Sequence, residues 1–524
     1  MKMIYKKNKI MICVTLIIAL MLTMFMGGFA NKPEVEKTLI FAEMKDAETL
    51  DHIRTSYYSP AILNMFDRLV SRDYNYSYKP YLAESWDTSE DGLVWTFHLK
   101  KGVKFHSGKP LVADDVKWTF DFILDPKTGS PYAGDMKVVK EITVIDDYTV
   151  QFELNYPFPN LLFNLSNTAS SIANKEAYEK YGDEYGIKYV DGTGPYMFKE
   201  WIRGDKLVVV KNPEFNWGPD WMENNGIPLI DKVIWRVLPD ANSRLMELET
   251  GGVQIISEDL PPSSIERLIE NPDITVKTGE ATKLGYLAYA CDKEPFTDVR
   301  VRRAINHAIK KDAIIQSIFR SRAQPAYGYL PPSLKDEYYA DSEKDSYEYN
   351  IEKAKELLAE AGYEDGLKLV LSSDNSSINS KLAEVLQSQL KKVGIDVEIN
   401  LYDSSSYTAM LREGKQELFI RLYSWPNADI LDWFWHSERF PYPNHSRWVD
   451  ARTDQLINTA RTEPTWEERA TAYQEVQKYL VEQAVICPIY IPEKVIAIGK
   501  EVKGFKYHPW RVIVNGGLDI DLTE

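Results

Sequence analysis

The feature that most constrains this chain is the alternation of element types between residues 284 and 401. Residues 284–290 are an apolar run of strand character. Residues 298–319 place Val301, Ala304, Ile305, Ala308 and Ile309 at helical spacing, which predicts one long helix. Residues 350–361 read as a helix ended by Gly362, 367–371 as a strand, 380–392 as a helix ended by Gly394, and 395–401 as a strand. Strands separated by helices imply an α/β lobe.

The first half is patterned differently. Residues 38–42 read as a buried first strand, and 59–70 as an amphipathic helix opened by Ser59 and Pro60. Residues 93–99 alternate as a strand, 113–122 form a helix, and 144–154 hold two short strands around the Asp146-Asp147 turn. Strands are also expected at 207–210 and 233–237, then a helix at 244–250 stopped by Gly251-Gly252. Late in the chain, 466–482 is a helix and 489–491 a strand. A chain of 524 residues has room for about two or three domains.

The amino terminus reads as an export segment. Lys2, Lys6, Lys7 and Lys9 precede an uncharged run over residues 10–26, and Gly28-Phe29-Ala30 ends it with small residues at the last and third-last positions. That is the layout of a secretory signal peptide over residues 1–30. The run also reaches the lower limit of a spanning helix, so an uncleaved anchor is the alternative. No cysteine follows the run until Cys291, so lipid attachment just after it is not supported. Export leaves Cys291 and Cys487 in an oxidising compartment, where two separate buried thiols are the plainer reading and a bond the other.

Composition narrows the function. A net charge of −16 argues against nucleic acid as the main partner, because phosphate binding needs a concentrated positive surface. With 32 Tyr and 13 Trp, many rings can fill the core, and a ligand-contacting cleft is a second use for them. The chain has no P-loop, no G-x-S-x-G, no H-E-x-x-H and no C-x-x-C. Gly192-Thr193-Gly194-Pro195 opens no helix and reads as a turn. His436 and His445 share a loop with Asp432, either as a metal set or as exposed loop polarity, and no metal is expected.

One segment stands apart. Residues 417–425, ELFIRLYSW, form an apolar strand carrying Arg421, Tyr423 and Trp425 at alternate positions, and it runs into Asn427, Asp429, Asp432 and Trp433. A strand delivering Trp and Asp into an aromatic loop suits a pocket rim for a small ligand. A buried tryptophan corner, with Asp429 capping the next helix, fits the same residues.

Five stretches, in order, resemble the family 5 extracellular solute-binding proteins, the dipeptide and oligopeptide group that serves ABC importers. They are 80–125 with its LAESW, GVKFH and DDV pieces, GTGPY at 192–196 with Asn212-Pro213, FTDVRVRRAINHAIKKDAI at 296–314, AKELLAEAG at 354–362, and the strand ending at Trp425. The resemblance implies a two-lobed α/β fold of the type II periplasmic-binding-protein kind, with an extra subdomain in the first lobe. It places lobe I at about 38–290 with a return over 490–524, the subdomain at about 75–200, lobe II at about 291–489, and a hinge near Tyr289 and Tyr490.

The same resemblance implies that an Asp shortly after the strand's Trp holds the peptide ammonium. Asp429 is the nearest match, although it falls four places after Trp425 and Ala428 holds the three-place position. The Arg that dipeptide binders use for the ligand carboxylate would fall near Ser373, where 372–377 has none. Longer peptides therefore suit the chain better than dipeptides. The expected ligand contacts are Arg421, Tyr423, Trp425, Asn427, Asp429, Asp432 and Trp433, with Met44 beyond the first strand. An oligosaccharide receptor of the same family is the alternative, with Tyr423, Trp425, Trp433, Phe434 and Trp435 stacking on sugar faces. Nickel carriage is least favoured with only seven histidines. The resemblance implies no catalytic residue, no cofactor, no nucleic acid, a monomer outside the cytoplasm, and an ABC permease in the membrane as partner.

Overall fold

The computed structural model describes residues 36–523, apart from 56–58, 259, 335–342, 344–345 and 511–514. The expected signal segment at 1–30 lies outside the described residues.

A single strand, Ile486–Gly499, organises the body that runs from Thr38 onward. Its first part pairs antiparallel with Lys283–Tyr289, and its last part with Ile274–Glu280 and Ile255–Ile256. Beyond Lys283–Tyr289 the sheet continues through Leu418–Ser424, Leu367–Asp374 and Ile395–Tyr402. Beyond Ile255–Ile256 it continues through Thr38–Glu43, Lys232–Val237, Lys206–Lys211 and Tyr196–Ile202. The sheet thus has two halves that share one strand. Leu367–Asp374 is parallel to both of its neighbours, as the β-α-β alternation requires.

A separate four-stranded antiparallel sheet takes the order Ala83–Thr88, Val94–Leu99, Thr149–Leu154, Val139–Asp146. Helix Ala113–Leu124 buries Val116, Phe120 and Ile123 against its core. That core is distinct from the one under the second half-sheet, which gathers Leu287, Ile305, Leu386, Ile420 and Ile489. It is also distinct from the core of Phe41, Phe66, Val209 and Trp235 under the first half-sheet. Helix starts follow side-chain capping: Asn350 accepts from the Lys353 amide, Ser376 from Asn379, and Thr465 forms a reciprocal box with Glu468.

Two expectations fail for identifiable reasons. The long helix at 298–319 is two helices, Val299–Ala308 and Lys311–Phe319, because Ile309 is extended. Tertiary bonds hold the break: the Lys310 amide donates to Gln389 Oε1 at 2.7 Å, and Lys311 Nζ to the Ala326 carbonyl at 2.7 Å. The helix expected at 59–70 is one turn, Ile62–Met65, after which the chain becomes the strand Val70–Arg72. Residues 61–72 are all buried, so no solvent face exists for an amphipathic helix to keep. Gly192 and Gly194 pass directly against this turn, and the Gly194 amide donates to the Met65 carbonyl at 2.9 Å. A Cβ on Gly192 would lie 2.0 Å from that same oxygen, so the GTG sequence marks a close backbone approach rather than a free turn.

Candidate ligand cleft

The Leu418–Ser424 strand emerges where the two half-sheets meet. The Trp425 amide donates to the Thr282 carbonyl at 3.0 Å, and Ala281-Thr282 is the link between Ile274–Glu280 and Lys283–Tyr289. The Trp425 ring meets Trp433 at 5.5 Å and also Phe163 at 5.9 Å and Trp510 at 6.3 Å. Its indole N–H is buried with no acceptor among the described residues.

Beside it lies a cavity of about 600 Å³, in the range of ligand pockets. Its walls come from both sides of the molecule. Arg72, the run from Tyr74 to Tyr78 and Phe163 supply one side, Ser333, Leu334, Pro426, Asn427 and Trp466 the other, with Glu280 at the crossing and Tyr507 and Pro509 from the late chain. A hollow of about 660 Å³ is lined from Val370 to Glu417 and is confined to the second half.

The expected contact residues separate into groups. Tyr423 is 5% exposed, and its hydroxyl donates to the Tyr329 carbonyl, so its ring belongs to the core. Arg421 pairs across the strands with Tyr286 and is not among the residues lining the cavity. Met44 is 40% exposed and also lies off the cavity. Asn427 does line it, while its Oδ1 accepts from the Asp429 amide at 2.7 Å and turns the chain into helix Ile430–Trp435.

Asp429 and Asp432 are already occupied. Arg461 Nε lies 2.7 Å from Asp429 Oδ1, and the Tyr473 hydroxyl donates to the same oxygen at 3.1 Å. Arg461 Nη1 reaches Asp432 Oδ1 at 3.1 Å, and Arg439 Nε reaches Asp432 Oδ2 at 2.9 Å. The cluster extends across the cleft. Trp433 Nε1 donates to Asp135 Oδ1 at 3.0 Å, Arg439 approaches that atom at 4.0 Å, and the Arg461 guanidinium lies over the Phe158 ring at 5.3 Å. Burial pushes the Asp135 carboxyl up to about 7, with Arg439 pulling it down and Asp429 adding to the rise. Burial also raises Asp429, against the pull of Arg461.

His436 and His445 are buried rather than exposed loop residues, and burial holds the His445 imidazole well below its usual range, with Arg421 and Arg412 adding to the effect. Cys291 and Cys487 are free, buried thiols. No cluster of metal-ligating side chains occurs among the described residues.

Sequence reading missed Arg72 altogether. It ends strand Val70–Arg72 and pairs with Tyr78 across a hairpin carrying Tyr74, Tyr76 and Tyr78 at every second position. That period-two run of tyrosines was the available signal.

The profile of bacterial extracellular solute-binding proteins, family 5, matches residues 77–440. Di/tripeptide-binding protein 2 of Pseudomonas aeruginosa is 32% identical over 462 residues, covering 82% of this chain and 84% of its own. Glutathione-binding protein GsiB of Escherichia coli K12 is 30% identical over 457 residues, covering 85% of this chain and 87% of its own. The solved structure of the periplasmic binding protein DppA from Helicobacter pylori, in complex with the peptide STSA, superposes with a TM-score of 0.83 at 30% identity, covering 93% of this chain and 98% of that one. These likenesses give the two-lobed type II fold and a role in binding a solute rather than transforming it. The chain belongs to the family 5 bacterial extracellular solute-binding proteins.

Proposed function

We propose that this chain is the peptide receptor of an ABC importer and that it closes two lobes around its ligand. The observation that carries this reading is the cavity of about 600 Å³ walled from both sides of the crossing. The names of the relatives support the ligand class: two bind di/tripeptides and glutathione, and the solved neighbour holds a four-residue peptide. The lobes are taken as 38–290 with 490–524, and 291–489, with 75–200 as the subdomain of the first. The crossing strands near Tyr289 and Tyr490 act as the hinge, since a few residues between rigid bodies suffice to absorb a rotation. Asp135 on one side, with Arg439 and Trp433 on the other, would hold the closed form. The oligosaccharide alternative loses Tyr423 and Trp435, both buried in the core, from its stacking set.

Export by residues 1–30 and docking on a membrane permease complete the reading. No helix among the described residues is long and apolar enough to cross a membrane. A thermal-shift panel of peptides and oligosaccharides tests the ligand class. A peptide at 100 times its dissociation constant adds about 2.7 kcal/mol of stability. Response to glycans with none to any peptide rejects the peptide reading.

A further inference from the structure

Arg72 is the unusual cation of the cleft. It is 8% exposed, and its Nη2 donates to Asn167 Oδ1 at 3.2 Å. Its guanidinium lies 4.7 Å from the Phe163 ring centroid and 5.0 Å from that of Trp510. It has no carboxylate partner among the described residues. Other buried arginines are differently placed. Arg302 is surrounded by the carbonyls of Phe296, Gln483 and Ala484, and Arg244 donates to those of Leu238 and Pro239. Burial lowers the Arg72 pKa to about 10, with neighbouring Arg68 adding to the effect and Tyr78 and Tyr76 opposing it. It stays charged at neutral pH, and a buried charge without a counter-charge costs several kcal/mol.

What surrounds Arg72 points to the missing partner. It lines the cavity, and the Phe163 and Trp510 rings that it covers are the same two that Trp425 packs against. The Trp425 indole N–H, without an acceptor among the described residues, thus belongs to the same aromatic cluster. A planar guanidinium presents paired donors that match a carboxylate. One cation calls for one negative charge rather than the two of a phosphate. Among the described residues lining the cavity, the one other charged group is Glu280, so the pocket offers one site of each sign, as a zwitterion requires.

Resting on the peptide reading above, we propose that Arg72 is the carboxylate anchor of the cleft and takes the C-terminus of the bound peptide. This assigns to the first lobe the task for which the region near Ser373 supplies no arginine. The peptide then runs from Arg72 with its amino end toward Glu280.

The test is a set of tri- to pentapeptides, each as free acid and as C-terminal amide, titrated calorimetrically into the full chain and into Arg72→Gln and Arg72→Lys. The wild type should bind the acid about ten- to a hundredfold more tightly than the amide, the range of a hydrogen bond to a charged group. Arg72→Gln should lose that preference, and Arg72→Lys should keep part of it. Equal affinity of the wild type for acid and amide overturns the proposal without any variant. So does a preference that survives in Arg72→Gln. If no peptide binds the wild type, the peptide reading falls first and this proposal with it.

Discussion

Two groups of buried charge meet this cleft, and they are built to opposite rules. In one, Arg439 and Arg461 are surrounded by Asp135, Asp429 and Asp432, with Tyr473 and Trp433 donating to the same Asp429 and Asp135 oxygens that the arginines approach. In the other, Arg72 has an amide oxygen and two ring faces and no acid among the described residues. The first group is complete and spans the cleft, so it fixes a conformation. The second is incomplete and lines the cavity, so it selects what enters. The acids that sequence assigned to the ligand belong to the first group, and the cation that sequence passed over belongs to the second.

The sharpest way to break this contrast is Arg461→Met. It leaves Asp429 and Asp432 buried with one guanidinium between them, and removing one partner of a buried pair costs about 3–5 kcal/mol. Urea denaturation should register that loss, and an unchanged midpoint would mean that the cluster holds nothing together.

A smaller effect comes from pH. Asp135 keeps its proton in the folded chain up to about 7, while an unfolded aspartate releases it at about 3.9. Between those values only the folded state holds the proton. Its contribution to stability is therefore full at the acid end, is lost as pH rises toward 7, and is flat above. The difference in stability between wild type and Asp135→Asn, measured from pH 4 to 8, should fall by a few kcal/mol at most and then level off, on the order of 1.4 kcal/mol per pH unit. A flat difference would show that Asp135 is ionised throughout.

Arg72→Gln should act on the other side of the comparison. Peptide affinity should drop by about 1.5–3 kcal/mol, while the unliganded chain loses no stability and gains some, because the variant removes an uncompensated buried charge. A large loss of unliganded stability would make Arg72 a structural residue instead. The smallest effect belongs to Tyr423→Phe. Losing its bond to the Tyr329 carbonyl should cost about 1 kcal/mol in stability and leave peptide affinity untouched. Weakened binding there would return Tyr423 to the ligand site.

Much of the fold was legible because periodicity and caps are local. The helix Trp466–Glu482 and the strands Thr38–Glu43 and Lys206–Lys211 lie where pattern placed them. Local pattern could not see the break at Ile309, which is held by Gln389 and Ala326 from elsewhere in the chain. Nor could it see how far the late strand extends, since its later residues gain their partners from Ile274–Glu280. The site was half legible for a related reason. A strand carrying Trp425 into an acidic loop could be read from sequence. Whether Asp429 faces a ligand or Arg461 depends on a contact across 32 positions. Arg72 gave less still, because its meaning lies in what it does not touch.

The strand Ile486–Gly499 sets the order of events when this protein is made. Both half-sheets need it, yet among the described residues it is the last strand of the sheet to be translated. Until then Lys283–Tyr289 and Ile255–Ile256 each present a bare hydrogen-bonding edge. Neither half-sheet can close before that strand has been made, so both edges stay open to wrong pairings while the chain emerges.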